Sequence, residues 1–222
     1  FFSMTKIKSN LFHPEFLRSS AFLLSLVIVI FINPFLDESL AGRLFSSILV
    51  LLSTVGALMV MFAHREVIWF ILLIVVLSFI IQVLAFTFNN AFFIGLKFLC
   101  YSTINTTFAL ILFYYLMKVQ PLSLSEIGNA ISIYLLVGLS FGYFYCFYAQ
   151  HHPLAFSNLS NEMPNNQFDL IYYSFITLTT TGYGDIQPMM KVPRILAIFE
   201  TVFGTFYIAV IIGRLVGLGY KK

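Results

Sequence analysis

Along this chain apolar and polar positions do not alternate with the two- or 3.6-residue period of a water-soluble domain; long apolar runs are divided by short polar breaks. Five runs, residues 44–63, 67–88, 92–117, 129–149 and 193–218, reach the about 20 residues that a helix needs to cross a hydrocarbon layer ~30 Å thick. A sixth, 16–36, is weaker: its apolar centre runs from Ala21 to Ile32 and is bounded by Pro14, Arg18 and Pro34. The breaks carry turn chemistry. Pro121 removes a helix donor and disfavours helix at Gln120, so the fourth run is expected to end there. Ser123 with Glu126 three residues later reads as a capping box that opens the next helix near Leu124. The segment 150–167, with His151, His152, Pro153, Pro164 and several Asn and Ser, reads as an exposed loop.

Composition turns this pattern into a class. With 60% hydrophobic residues, 9% charged and a mean hydropathy of +0.95, the chain is unlike a soluble domain, where charged residues run near 25%. It reads as an integral membrane protein. Six spans put both termini on one side. Lys6, Lys8, Arg18, Arg65, Lys118, Arg214, Lys221 and Lys222 fall on that side, which the positive-inside rule makes cytoplasmic. Asp37, Glu38, Glu162, Asp169 and Asp185 lie opposite, with Arg43, Lys191 and Arg194 as exceptions. A cleaved signal peptide competes for the first run, but no small-residue cleavage site follows Ile32. The chain opens on Phe1 rather than methionine, as a processed or trimmed product would.

Candidate chemistry is concentrated in one place. Thr180, Thr181, Gly182, Tyr183, Gly184 and Asp185 follow an apolar, Thr-rich helical stretch, 172–179, and precede Ile186, Gln187, Pro188 and a full span. Glycines at alternate positions suit a backbone that must take left-handed dihedrals. Elsewhere there is no nucleophile–base set, metal motif or phosphate loop, so an enzyme and a cofactor are not expected, nor is a nucleic-acid partner. Cys100 and Cys146 lack metal-ligand spacing and read as small apolar side chains. The His151–His152 pair has no third ligand in spacing and reads as solvated loop residues. Asn158, Leu159, Ser160 matches the N-glycosylation pattern.

The 180–185 run resembles the selectivity filter of potassium channels, with 172–179 standing where that family has its pore helix and Arg194 and Gly204 where its inner helix begins and hinges. The resemblance implies an all-α integral membrane fold. Six transmembrane helices, a re-entrant pore helix and a filter loop assemble as a tetramer, because a filter takes four such loops and this chain carries one. It implies potassium coordination by the carbonyls of Thr180, Thr181, Gly182 and Tyr183, with Gly184 completing the loop and the Thr180 hydroxyl facing the cavity. Thr181 stands where the family often has valine, and its hydroxyl needs a partner. Ile176 stands where an acid often sits behind the filter, leaving Tyr173 as the expected donor to Asp185.

Glu200, the acid within the last span, is expected to bond pore-helix threonines such as Thr177 rather than to form a cavity ion site. Gly204 is the expected hinge, and the stripe Thr205, Ile208, Ile212, Val216 puts Ile212 and Val216 at an apolar gate. Gln187 is expected at the outer mouth. The domain reading is then a cytoplasmic segment 1–15, a four-helix transmembrane domain 16–118, a linker 119–123, a pore domain 124–218 and a stub 219–222.

The first four spans lack the arginine ladder of a voltage sensor. The fourth holds Lys97, followed at three-residue spacing by Cys100 and Thr103, and no arginine occurs between Arg65 and Arg194. Tyr101, Asn105 and Gln82 are expected to make interhelical hydrogen bonds. The expected function is passive, voltage-insensitive potassium conduction across the cell membrane by a homotetramer in the lipid bilayer. The alternatives are a sensor or scaffold subunit whose pore needs a partner, and a weakly selective cation channel. A regulatory ligand or subunit is left open.

Overall fold

The structure, a computed structural model, describes residues 14–32, 35, 40–61, 65–88, 90–118, 124–159 and 166–219; side chains of 215–219 and of some helix-end residues lie outside that description. The regular elements of the described residues are α-helices and one two-residue strand pair. Its elements in order are α1 (Pro14–Ile32), α2 (Leu40–Met61), α3 (Arg65–Phe88), α4 (Ala91–Lys118), α5 (Leu124–His151), β1 (Phe156–Ser157), α6 (Asn166–Leu178), β2 (Gln187–Pro188) and α7 (Lys191–Gly219). Among the described residues, four helical stretches are long and apolar enough to cross a membrane: Pro14–Ile32, Ala91–Lys118, Ser125–His151 and Lys191–Arg214. The described apolar parts of α2 and α3, Ile48–Val60 and Leu72–Phe88, are shorter. The chain is a multi-pass membrane protein.

The expected break after the fourth run coincides with the end of α4 at Lys118, and α5 begins at Leu124. Ser123 and the linker 119–123 lie outside the described residues, as does the segment 1–13. The fold divides into two compact units interleaved in sequence, Phe1–Leu72 with Leu110–Ile133, and Leu73–Ala109 with Tyr134–Lys222. This division passes through α3, α4 and α5.

Inside a bilayer lipid tails are as apolar as leucine, so helices associate through close packing at small residues and through hydrogen bonds. The first unit follows this rule. Gly56 of α2 lets the Phe22 ring of α1 come within 3.3 Å of where a Cβ would stand. Phe22, Leu26, Val29 and Ala57 form its buried centre. Ser19 of α1 places Oγ 2.9 Å from the Ser125 carbonyl and 2.8 Å from the Asn129 amide of α5.

The second unit holds α6 between α5 and α7. Gly142 of α5 brings the Ile171 backbone so near that a Cβ there would meet its Cα at 2.9 Å, and at Gly138 it would meet the Phe175 ring at 2.6 Å. On the other side of α5, Ser102 of α4 donates to the Ser140 carbonyl at 2.9 Å, while Tyr101 packs its ring edge-on to Tyr143 at 5.3 Å. Asn105 donates to the Tyr101 carbonyl of its own helix at 2.7 Å rather than across helices. Beside α6, the buried rings of Tyr145, Phe156 and Tyr173 meet pairwise edge to face, with centroids 5.2–5.5 Å apart. The β1–β2 pair ties the loop after α5 to the segment before α7, in the register Phe156↔Pro188 and Ser157↔Gln187.

Candidate functional site

The last residues of α6 set up the 179–185 loop. A helix leaves its final carbonyls without intrahelical donors. Here the loop supplies them: Thr180 N donates to Thr177 O at 3.0 Å, and Thr181 N and Gly182 N both donate to Ile176 O, at 2.8 and 3.1 Å. This closure requires a left-handed residue, and it falls on Thr180, whose φ is +60°. A β-branched residue there is strained, by about 1–3 kcal/mol for such outliers. Gly182 (φ +55°) and Gly184 (φ +78°) are left-handed too, whereas Thr181 and Tyr183 are not. Handedness therefore alternates residue by residue from 180 to 184. The sequence marks only the two glycines as suited to left-handed dihedrals; the structure adds Thr180 to them.

Hydrogen bonds brace this loop from behind. Thr179 Oγ1 donates to the Phe175 carbonyl at 2.7 Å, which leaves it to accept from Thr181 Oγ1 at 2.9 Å. The extra hydroxyl of Thr181 thus has its partner. Asp185 is held twice: Tyr172 Oη donates to its Oδ2 at 2.9 Å, and Asn158 Nδ2, on a left-handed residue (φ +57°), donates to its carbonyl at 2.8 Å. The expected donor, Tyr173, is one residue off. Its ring is buried in the aromatic cluster and its hydroxyl interacts with Thr177, whereas Tyr172 emerges toward the loop. The bond to Asp185 raises the Tyr172 phenol above its ordinary range. Because the Asn158 amide is engaged with Asp185, the nitrogen that glycosylation would modify is occupied.

After Asp185, Gln187 turns back so that Nε2 donates to the Gly184 carbonyl at 3.0 Å, and Arg194 Nε donates to the Pro188 carbonyl at 2.8 Å. Thr180, Thr181, Gly182, Tyr183, Gly184 and Asp185 are all exposed on the single chain, Tyr183 at 71%.

Glu200 of α7 is fully buried at 0% exposure. Its partners are Ser174 of α6 and Tyr145 of α5, the latter donating to Oε2 at 2.8 Å. Thr177, the pore-helix threonine expected as partner, is not among them: its side chain interacts with Tyr173, and its carbonyl lies 3.4 Å from Thr201 Oγ1, which donates to Ala197 O of its own helix at 2.8 Å. One turn on, a Cβ at Gly204 would stand 2.1 Å from the Leu178 carbonyl oxygen. That carbonyl also accepts from Tyr134 Oη at 3.1 Å. The structure thus accounts for Gly204 by a close approach of α7 to the end of α6, in a helix that runs on unbroken to Gly219. Ile208 and Ile212 are exposed on α7, while the Val216 side chain lies outside the described residues. Lys97 sits with Nζ 4.5 Å over the Phe98 ring.

Tyr134, Tyr145 and Ser174 were not singled out from the sequence. The signal available was the spacing of Gly138 and Gly142, which marks the face of α5 that meets α6 and places Tyr134 and Tyr145 one turn to either side.

Comparison with known proteins bears on the region that holds this loop. Residues 130–219 match a family model described as Ion channel. A two pore potassium channel of Oryza sativa is 29% identical over 99 residues, covering 45% of this chain and 26% of the relative. A hyperpolarization-activated voltage-gated potassium channel of Methanocaldococcus jannaschii is 42% identical over 43 residues, 19% of this chain and 21% of the relative. Potassium channel K2 of Plasmodium berghei is 48% identical over 42 residues, 19% of this chain and 3% of the relative. The chain thus spans about a quarter or less of each of these relatives. No solved structure gives a significant match.

Proposed function

We propose that this chain forms a potassium-selective, passively conducting pore from four copies of itself, each contributing the 179–185 loop. The observation that carries the reading is the residue-by-residue alternation of handedness at Thr180, Thr181, Gly182, Tyr183 and Gly184. An ordinary strand turns successive carbonyls to opposite sides, whereas alternating handedness lets them share one side, as an oxygen ladder that replaces an ion's water must. The carboxyl end of α6, with its partial negative charge, opens below that ladder and favours a waiting cation. The match to ion channels over 130–219 and the local likeness to potassium channels support the same reading.

On this reading Thr180, Thr181, Gly182 and Tyr183 coordinate the ion, and Tyr172, Asn158 and Asp185 keep the outer end open. Six spans cross the cell membrane with both termini cytoplasmic, and Ile212 and Val216 form the apolar constriction. The voltage gating printed in the name of the M. jannaschii relative is not carried over, since the first four spans lack arginines at sensor spacing.

The test is flux from the purified full chain in liposomes, with complex mass measured in detergent. Potassium and rubidium should pass far faster than sodium, from a complex of four chains. Equal sodium and potassium flux would reject the selectivity, and flux obtained only with an added protein would favour a subunit role.

A further inference from the structure

The contacts of Glu200 contain one hydrogen too few for a carboxylate. Ser174 Oγ lies 2.7 Å from the Gly138 carbonyl oxygen and also touches Glu200 Oε1. A serine hydroxyl has a single hydrogen, and a carbonyl can only accept. Giving that hydrogen to Gly138 leaves the Ser174–Glu200 contact to be bridged by a hydrogen on the acid. Giving it instead to Glu200 leaves two oxygens 2.7 Å apart with nothing between them, and strands a negative charge at a position with 0% exposure. Among the described residues, the groups bonded to Glu200 are the hydroxyls of Tyr145 and Ser174, and no cation is among them. The titratable groups that face it are Tyr134 and Tyr145 of α5 and Tyr173 of α6. The Tyr145 phenol, 2.8 Å from Oε2, fills the other oxygen as donor.

We propose that Glu200 is a neutral carboxylic acid carrying a directed hydrogen-bond chain across three helices, from Tyr145 to Glu200 to Ser174 to the Gly138 carbonyl. Each link then has one donor and one acceptor, and the chain fastens α6 to α5 and α7 together. Because α6 leads into the 179–185 loop, Glu200 acts as a positioning residue for that loop. A neutral acid does this without placing a charge beside the pore that would draw cations off the axis. The hydrogen count stands on its own, whereas the consequence for conduction rests on the pore reading above.

Infrared spectroscopy of the purified full chain tests the count directly. At neutral pH the protein should show a carboxylic-acid carbonyl band that shifts in heavy water, is absent from Glu200→Gln, and moves in Ser174→Ala because one of its hydrogen bonds has gone. Thermal stability gives an independent sign. Raising the pH takes the proton from the acid and opens the link to Ser174, so the melting temperature of wild type relative to Glu200→Gln should fall as pH rises. A carboxylate held by two donors would show the reverse, a relative loss on acidification.

Glu200→Gln, whose amide donates to Ser174 and accepts from Tyr145, should keep potassium flux within about twofold, an effect small enough to count as a tolerated change. Glu200→Ala should lower it about tenfold or more, the factor equivalent to 1.4 kcal/mol. Absence of the Glu200 acid band at neutral pH, or a relative stability that rises with pH, overturns the proposal. If no variant and no wild type conducts, the pore reading fails, and the band and the pH trend still decide the protonation.

Discussion

Thr180 and Gly182 share a left-handed backbone, φ +60° and +55°, yet they tolerate it for different reasons. Glycine has no Cβ to clash, whereas Thr180 is held there by the closure of α6, whose carbonyls need the amides of residues 180–182. A Cβ at Gly182 would meet nothing within 4 Å, so Gly182→Ala changes the backbone preference without a steric collision on the single chain. A left-handed alanine costs roughly 1–2 kcal/mol, small against assembly but large for a loop that must hold one conformation. Gly182→Ala should therefore assemble normally, as size-exclusion mass will show, and lose potassium flux by at least about tenfold, a factor of ten being 1.4 kcal/mol. Gln187 offers a second residue-scale test. Its amide is spent on the Gly184 carbonyl and presents no aromatic face to the mouth, so external tetraethylammonium should block weakly. Gln187→Tyr adds rings whose cation–π contacts are worth about 0.5–2 kcal/mol each, and block should tighten about tenfold if several engage. Comparing block of wild type and variant in the same bilayers decides this; unchanged affinity would remove residue 187 from the axis.

At the scale of elements, α7 carries two glycines with opposite surroundings. Gly204 faces the Leu178 carbonyl with no room for a side chain, while a Cβ at Gly213 would meet nothing within 4 Å. Gly204→Ala should push α7 off the end of α6 and destabilise by about 1–3 kcal/mol, the range for overpacking. Gly213→Ala should instead be neutral or stabilise by up to about 1 kcal/mol through helix propensity. Thermal unfolding of both variants in one detergent checks the pair, and equal effects would mean that the α6–α7 contact is not what Gly204 serves. The helices themselves were largely legible in the sequence, because apolar runs bounded by proline and capping residues leave few choices of where a span starts and stops. The loop's position after a short helix was legible too. Helix rotation was not. Tyr172 and Tyr173 are adjacent, about 100° apart around α6, and which one reaches Asp185 depends on how Gly138 and Gly142 seat that helix on α5. The same rotation turns Ser174 rather than a threonine toward Glu200, and Asn105 bonds a carbonyl of its own helix, one turn back, rather than a neighbouring helix.

For the whole molecule, the question raised by the proposed pore is what α1 to α4 would contribute to its opening. Moving one elementary charge through the full membrane field yields about 2.3 kcal/mol per 100 mV, so steep voltage dependence needs several mobile charges in each chain. Between Arg65 and Arg194 there is no arginine, and the basic residues are Lys97, Lys118 and Lys191. Lys97 rests over the Phe98 ring and Lys118 over the Tyr114 ring, each tethered near an end of α4, and Lys191 begins α7. None of these stands in a ladder that could ratchet through the field. Conductance of the reconstituted chain should therefore change only weakly between strongly negative and strongly positive voltages. Lys97→Gln should leave the conductance–voltage relation unshifted, because the cation–π contact it removes is local, worth about 0.5–1 kcal/mol at an exposed site. Planar-bilayer recording of wild type and Lys97→Gln under identical ionic conditions makes the comparison. A steep relation carrying several gating charges, or a large shift in the variant, would assign α1 to α4 a sensing role that their charge pattern does not support.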